Sequence, residues 1–178
     1  RDDYDPVELL AAPANLDFEQ GTADQVPANW FAWSKAERWG FSATIDTTTS
    51  AAGQQSARLC RDSGRMSADV SGSLLQYIDA TPFKGSSIRI RAQAKVASDN
   101  SENTDAFVRL KVSPSALDSA HDSEAVIHDS LNRHQVNSYN WQTFELAASI
   151  PQTAGSIMFG VFLTGEGCVW LDDVELVR

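Results

Sequence analysis

Three histidines, His121, His128 and His134, fall in one stretch with Asp122 and Asp129. Imidazole beside carboxylate is the pairing used for general-base chemistry and metal ligation, because imidazole changes charge near neutral pH. The spacing matches no zinc pattern. There is no H-E-x-x-H segment and no G-x-S-x-G elbow. A glycine-rich phosphate loop and a dinucleotide fingerprint are also missing. No catalytic residue is assigned, and binding is expected rather than catalysis.

Two kinds of recognition chemistry are present. Arg89, Arg91, Gln93 and Lys95 alternate with apolar residues, as do Arg109 and Lys111. Side by side on one face, with Gln76 next to them, they would form a cationic band for uronic acids, sialylated glycans or another anion. The plainer alternative is a solvated face paired with carboxylates such as Glu145. The second chemistry is aromatic, since a ring can stack on the apolar face of a sugar. Trp30, Trp33, Trp39, Tyr77, Tyr139 and Trp141 are the candidates. Large aromatics more often serve as core, and Trp30, Trp141 and Trp170 fit core positions by pattern. Trp33 and Trp39 sit among Ser34, Lys35, Glu37 and Arg38, so exposure is expected there. The candidate ligand set is Trp33, Trp39, Tyr77, Arg89, Arg91, Gln93, Arg109 and Lys111. Such a face is poor in aromatics, which argues against cellulose or xylan.

Strands must position these groups. Ile88–Val96 alternates strictly, with Ile88, Ile90, Ala92, Ala94 and Val96 facing one way. Val108, Leu110 and Val112 repeat the pattern within Phe107–Val112. Further strands are expected at Ser56–Cys60, Ser73–Asp79, Trp141–Ala147, Ile157–Leu163 and Val169–Leu176, with turn residues between them. No 3.6-residue stripe is sustained. Many short strands with one apolar face each predict an all-β sandwich of two antiparallel sheets. Residues 1–14 read as an acidic arm with one helical turn at Val7–Ala12, and residues 15–178 as a single domain. The polar stretch 113–138 is expected to be a long surface or binding loop.

The chain has 178 residues, is 42% hydrophobic and carries a formal net charge of -10. It is long enough for one core. Its acidity disfavours nucleic acid and anionic membranes, which need a cationic partner, and suits a calcium site. No run of 18 apolar residues spans a membrane. The chain opens at Arg1 with no basic-then-apolar leader, which fits a processed secreted chain or one piece of a longer protein. Two cysteines, Cys60 and Cys168, exclude a cysteine-rich metal cage and a disulfide-dense scaffold.

Five motifs occur in a telling order. They are Asn15-Leu-Asp-Phe-Glu-Gln-Gly21 with Pro27-Ala-Asn-Trp30; Gly53–Leu59; Ser73–Asp79 with Phe83-Lys-Gly85; Asn140–Phe144 with Ile150-Pro151; and Gly165–Val174. Together they resemble the jelly-roll carbohydrate-binding modules, the group of families four, nine and twenty-two, with a galactose-binding-like fold. The resemblance implies a structural calcium ion held by Glu19 and Asp172 side chains, with carbonyl oxygens from Asp17 and the Gly53–Ser56 region. That shared ion sets Ser56–Cys60 antiparallel to Cys168–Asp172. Cys60 and Cys168 then come close enough for a disulfide, the alternative being two buried free thiols. It further implies a non-catalytic module that binds a glycan or another small anionic or polar ligand, tethered within a larger secreted, periplasmic or cell-surface protein. The alternative on the same scaffold is an extracytoplasmic sensor or protein–protein interaction domain with no glycan ligand.

Overall fold

A computed structural model describes residues 7–62, 70–99, 101–114 and 133–178. Among these residues the chain forms ten strands: β1 (Phe31–Ala32), β2 (Phe41–Asp46), β3 (Ser56–Arg61), β4 (Ser71–Asp79), β5 (Ser87–Ala97), β6 (Thr104–Ser113), β7 (Arg133–Val136), β8 (Gln142–Ser149), β9 (Ser156–Gly165) and β10 (Gly167–Val177). They build two antiparallel five-stranded sheets. One has the order β1-β4-β9-β6-β7 and the other β2-β3-β10-β5-β8. This is the all-β sandwich that the alternation predicts. The seven expected strands are all present. β1, β2 and β7 were not anticipated.

The chain crosses between sheets at every connection except β2 to β3 and β6 to β7. Inward residues of both sheets meet in one core. Ile88, Ile90, Ala92 and Ala94 of β5 oppose Val108, Leu110 and Val112 of β6, all buried. Val96, at the end of β5, is only half-buried. In β10 the register shifts between Asp172 and Glu175, and Asp173 takes φ 49°. The bulge moves the inward parity from Val169 and Leu171 to Val174, so one strand buries all three.

The opening motif is stitched to this last strand. The Val174 N–H donates to the Leu16 carbonyl at 3.0 Å. Buried Asn15 holds the motif together: its Nδ2 donates to the carbonyls of Gln20 (2.7 Å) and Ala28 (2.8 Å), and its Oδ1 accepts from the Gln20 N–H (2.9 Å). The Trp30 indole N–H donates to the Asn15 carbonyl at 2.9 Å, and the Trp30 ring lies 4.7 Å from fully buried Phe18. Trp30 is core, as its pattern predicts.

The arm departs from expectation. No helical turn forms at 7–12. Leu10 instead makes a parallel bridge to Ile78, bonded through the Tyr77 carbonyl (2.9 Å) and the Asp79 N–H (2.8 Å). Strand pairing with the free edge of β4 wins over local helix, which one turn cannot stabilise alone. His121, His128, Asp122 and Asp129 lie outside the described residues. His134 is exposed on β7.

Candidate functional site

The sheet β1-β4-β9-β6-β7 presents an outer face whose side chains follow from register. Ser73 of β4 pairs with Phe162 of β9, Phe162 with Phe107 of β6, and Phe107 with Gln135 of β7. The next row contains Phe31, Leu75, Gly160 and Arg109, and the row after that Tyr77, Met158 and Lys111. Phe107 and Phe162 stack at 5.0 Å with planes 5° apart, and the Arg109 guanidinium lies 5.5 Å from the Phe162 centroid. Phe162 is half-buried and Gln135 exposed. Gly160 adds no side chain to this floor, and a Cβ there would strike the Leu74 carbonyl. The face therefore offers a ring, a guanidinium and a carboxamide in neighbouring positions. That combination can stack on a sugar and bond its hydroxyls.

One flank of this face is covered. Val7 and Leu9 of the arm pack on Leu75, Tyr77 and Met158. Tyr77 is buried, and burial pushes its hydroxyl up to about 12, against a weaker opposing effect of Arg109. The expected ligand role of Tyr77 as an open platform is thus corrected: the arm takes its ring out of solvent.

The expected cationic band does not form. Arg89, Arg91, Gln93 and Lys95 lie on β5, in one sheet, while Arg109 and Lys111 lie on β6, in the other. Consecutive strands here cross the sandwich, so alternation in each segment says nothing about adjacency. Gln76 faces inward and bonds the backbone of Ala14 and Asn29. The β5 cations sit on a charge-balanced face. Arg89 pairs with Glu145 at 3.0 Å, and Arg91 lies in register with Glu145 and Glu175. Lys95 donates to Thr49 Oγ1 at 2.9 Å and lies over both the Trp141 and Trp170 rings. Trp141 and Trp170 are half-buried against this lysine, not core as their pattern suggested. Trp33 and Trp39, expected to be exposed, are instead partly buried against the main core. Trp33 also lines an open cavity of about 380 Å³ with Glu37 and Phe41.

Glu19 and Asp172, the expected side-chain metal ligands, both bond one stretch of backbone, residues 51–55. Glu19 Oε1 accepts from the N–H groups of Gln54 (2.9 Å) and Gln55 (3.1 Å). Asp172 Oδ2 accepts from those of Ala51 (2.7 Å) and Ala52 (3.1 Å), and its Oδ1 from that of Asp173 (2.7 Å). Both carboxylates thus clamp the turn joining β2 to β3. Gly53, at φ 66°, lies against the Glu19 carboxylate, and a Cβ would collide with Oε1. The Ser56 hydroxyl donates to the Thr49 carbonyl at 2.8 Å. Asp17 is exposed and caps the Glu19 N–H at 3.2 Å. Asp172 is fully buried, and burial raises it to about 6 against the pull of the Ala52, Asp173 and Ala51 N–H groups. It has no basic partner among the described residues, and Glu19 Oε2 has no hydrogen bond there. A buried carboxylate with no basic partner, on a turn that a second carboxylate also holds, is compatible in charge with a hard divalent cation. Among the described residues no three metal-ligating side chains gather, so further ligands would have to be carbonyls.

Cys60 and Cys168 pair directly across β3 and β10 and form a disulfide. This settles the choice that the sequence leaves open.

No protein-family model matches the chain, and no curated protein matches it. Solved structures do. The CBM22-1 xylan-binding domain of Paenibacillus barcinonensis Xyn10C is 18% identical over 90% of this chain and 89% of its own, with a TM-score of 0.58. TmCBM61, solved with β-1,4-galactotriose, is 15% identical over 93% and 97%, also at 0.58. The fold is that of the jelly-roll carbohydrate-binding modules. A third match, the CBM22-1–GH10 modules of Clostridium thermocellum xylanase 10B complexed with xylohexaose, is 14% identical over 84% of this chain and 26% of its own, at 0.58. The jelly-roll assignment fits the motif order read from Asn15 to Val174.

The aromatic pair Phe107 and Phe162 escaped sequence reasoning, which weighed only tryptophan and tyrosine. Each is an apolar residue at the outward parity of its strand, beside Arg109 or Thr164, and that was the available signal.

Proposed function

We propose that this chain is a non-catalytic carbohydrate-binding module whose glycan lies across the outer face of the β1-β4-β9-β6-β7 sheet. The observation that carries this reading is half-buried Phe162, stacked on Phe107 and flanked by Arg109 and exposed Gln135. The face is richer in rings than the sequence suggested, so neutral plant-type glycans return as candidates. The cystine suits an oxidising compartment, in keeping with an extracytoplasmic module tethered to other domains. Titration calorimetry against a panel of neutral and acidic polysaccharides tests the reading. Phe162→Ala and Arg109→Ala should each weaken the bound glycan about tenfold. Affinity unchanged in both variants, or no binding across the panel, contradicts it.

The same reading includes a structural calcium ion at Glu19 and Asp172, with carbonyl oxygens from Asp17 and the Gly53–Ser56 segment. Its support is the buried carboxylate of Asp172, which has no basic partner among the described residues, and the Glu19 Oε2, which has no hydrogen bond there. Calcium would supply positive charge there and tie β10 to the turn before β3. A chelator should lower the melting temperature of the unaltered chain, and Glu19→Ala and Asp172→Ala should abolish that response. A melting curve indifferent to chelator speaks against the ion.

A further inference from the structure

We infer that a recess beside Tyr139 holds one neutral sugar residue of the bound glycan, a chain end or side branch. The inference rests on the glycan-binding reading and adds a second contact region to it. The recess has a volume of about 150 Å³ and sits where the end of β5, the start of β6 and the end of β7 meet. Ser98, Thr104, Gln135, Asn137 and Tyr139 line it with hydroxyls, carboxamides and a phenol, and none of its lining residues carries a formal charge. That is the complement of a polyol rather than an ion. Tyr139 is 67% exposed, the most exposed large aromatic among the described residues. Its position is nevertheless fixed, because its hydroxyl donates to the Ser98 carbonyl at 3.1 Å. Asn137 is braced by Gln142, which donates to Asn137 Oδ1 and accepts the Asn137 N–H, both at 3.1 Å. This leaves Asn137 Nδ2 without a partner among the described residues. The Gln135 side-chain amide makes no hydrogen bond with any of them either. Both rim amides are therefore available to a ligand, beside a ring held in place before binding. Gln135 is also the residue in register with Phe107, so the row Ser73–Phe162–Phe107–Gln135 ends at this recess.

Calorimetric titration with xylohexaose and with β-1,4-galactotriose tests the recess, using Tyr139→Ala and Asn137→Ala beside Phe162→Ala. Both recess residues are exposed, so their variants should melt near the unaltered chain. The expected result is an affinity loss of about tenfold in Tyr139→Ala, a smaller loss in Asn137→Ala and a loss in Phe162→Ala. Binding weakened by Phe162→Ala but unchanged in both recess variants overturns the recess and leaves the face standing. No binding of either sugar by the unaltered chain overturns the recess together with the reading beneath it.

Discussion

At the scale of single residues, the opening motif gains a physical meaning. Asn15 is buried, adopts φ 50° and satisfies three backbone groups through one carboxamide. Removing that amide strands buried polar groups, each costing about 1–3 kcal/mol. Asn15→Ala should therefore lower stability by about 2–4 kcal/mol in a denaturant melt; a loss near zero would refute this role. Asp46 makes a different prediction. Burial works to raise it, but bonds from Thr48 and the Trp170 indole, with Arg58 nearby, outweigh that and hold it below its ordinary value. A lowered folded pKa gives stability that is present above the unfolded value and lost as pH falls through the folded one. Stability should decline on acidification from about pH 5 to pH 3, and Asp46→Asn should flatten that decline. Equal acid sensitivity in the two proteins would contradict the assignment. Asp172 has the opposite sign, its ionisation opposing folding as pH rises toward 6 without an ion. The paired comparison removes its contribution.

The residue scale was partly legible in the sequence. Asn15, Glu19 and Asp172 stood out through motif order. Tyr77 did not betray its burial, because Val7 and Leu9 cover it from a segment far away in sequence. Trp170 was misread because its outward position rests on Lys95 of β5 and Asp46 of β2, both far from it in sequence.

At the scale of elements, alternation located seven strands and most of their inward residues, with Trp141 and Trp170 the exceptions. It could not reveal β1 or β7, which are too short to show a period, nor which strands are neighbours. The failed cationic band follows from that gap. Period two states which way a side chain points within its strand, while adjacency is fixed by crossovers between sheets. The cystine is the covalent counterpart of this topology. Cys60 and Cys168 lie 108 residues apart, and their bond joins β3 to the closing strand. In the chain-entropy account a loop of that length contributes about 3–5 kcal/mol. Reduction, or replacement of both cysteines by serine, should lower the unfolding midpoint accordingly. A midpoint unmoved by either would show that the bond is not a stabilising one.

At the scale of the whole molecule, the two sheets have different tasks. The β2-β3-β10-β5-β8 sheet carries the disulfide, the charge-balanced cations and the carboxylate clamp, so its outer face is committed to stability. The opposite sheet carries stacked rings with the Arg109 guanidinium beside them, bounded on one flank by the arm. Mapping backbone amide shifts by NMR during titration with xylohexaose tests this division most directly. The account predicts that the largest shifts cluster at Phe107, Arg109, Gln135, Gly160 and Phe162. Saturable shifts centred instead on Arg89, Arg91 and Trp170, with none on the ring-bearing sheet, would contradict it.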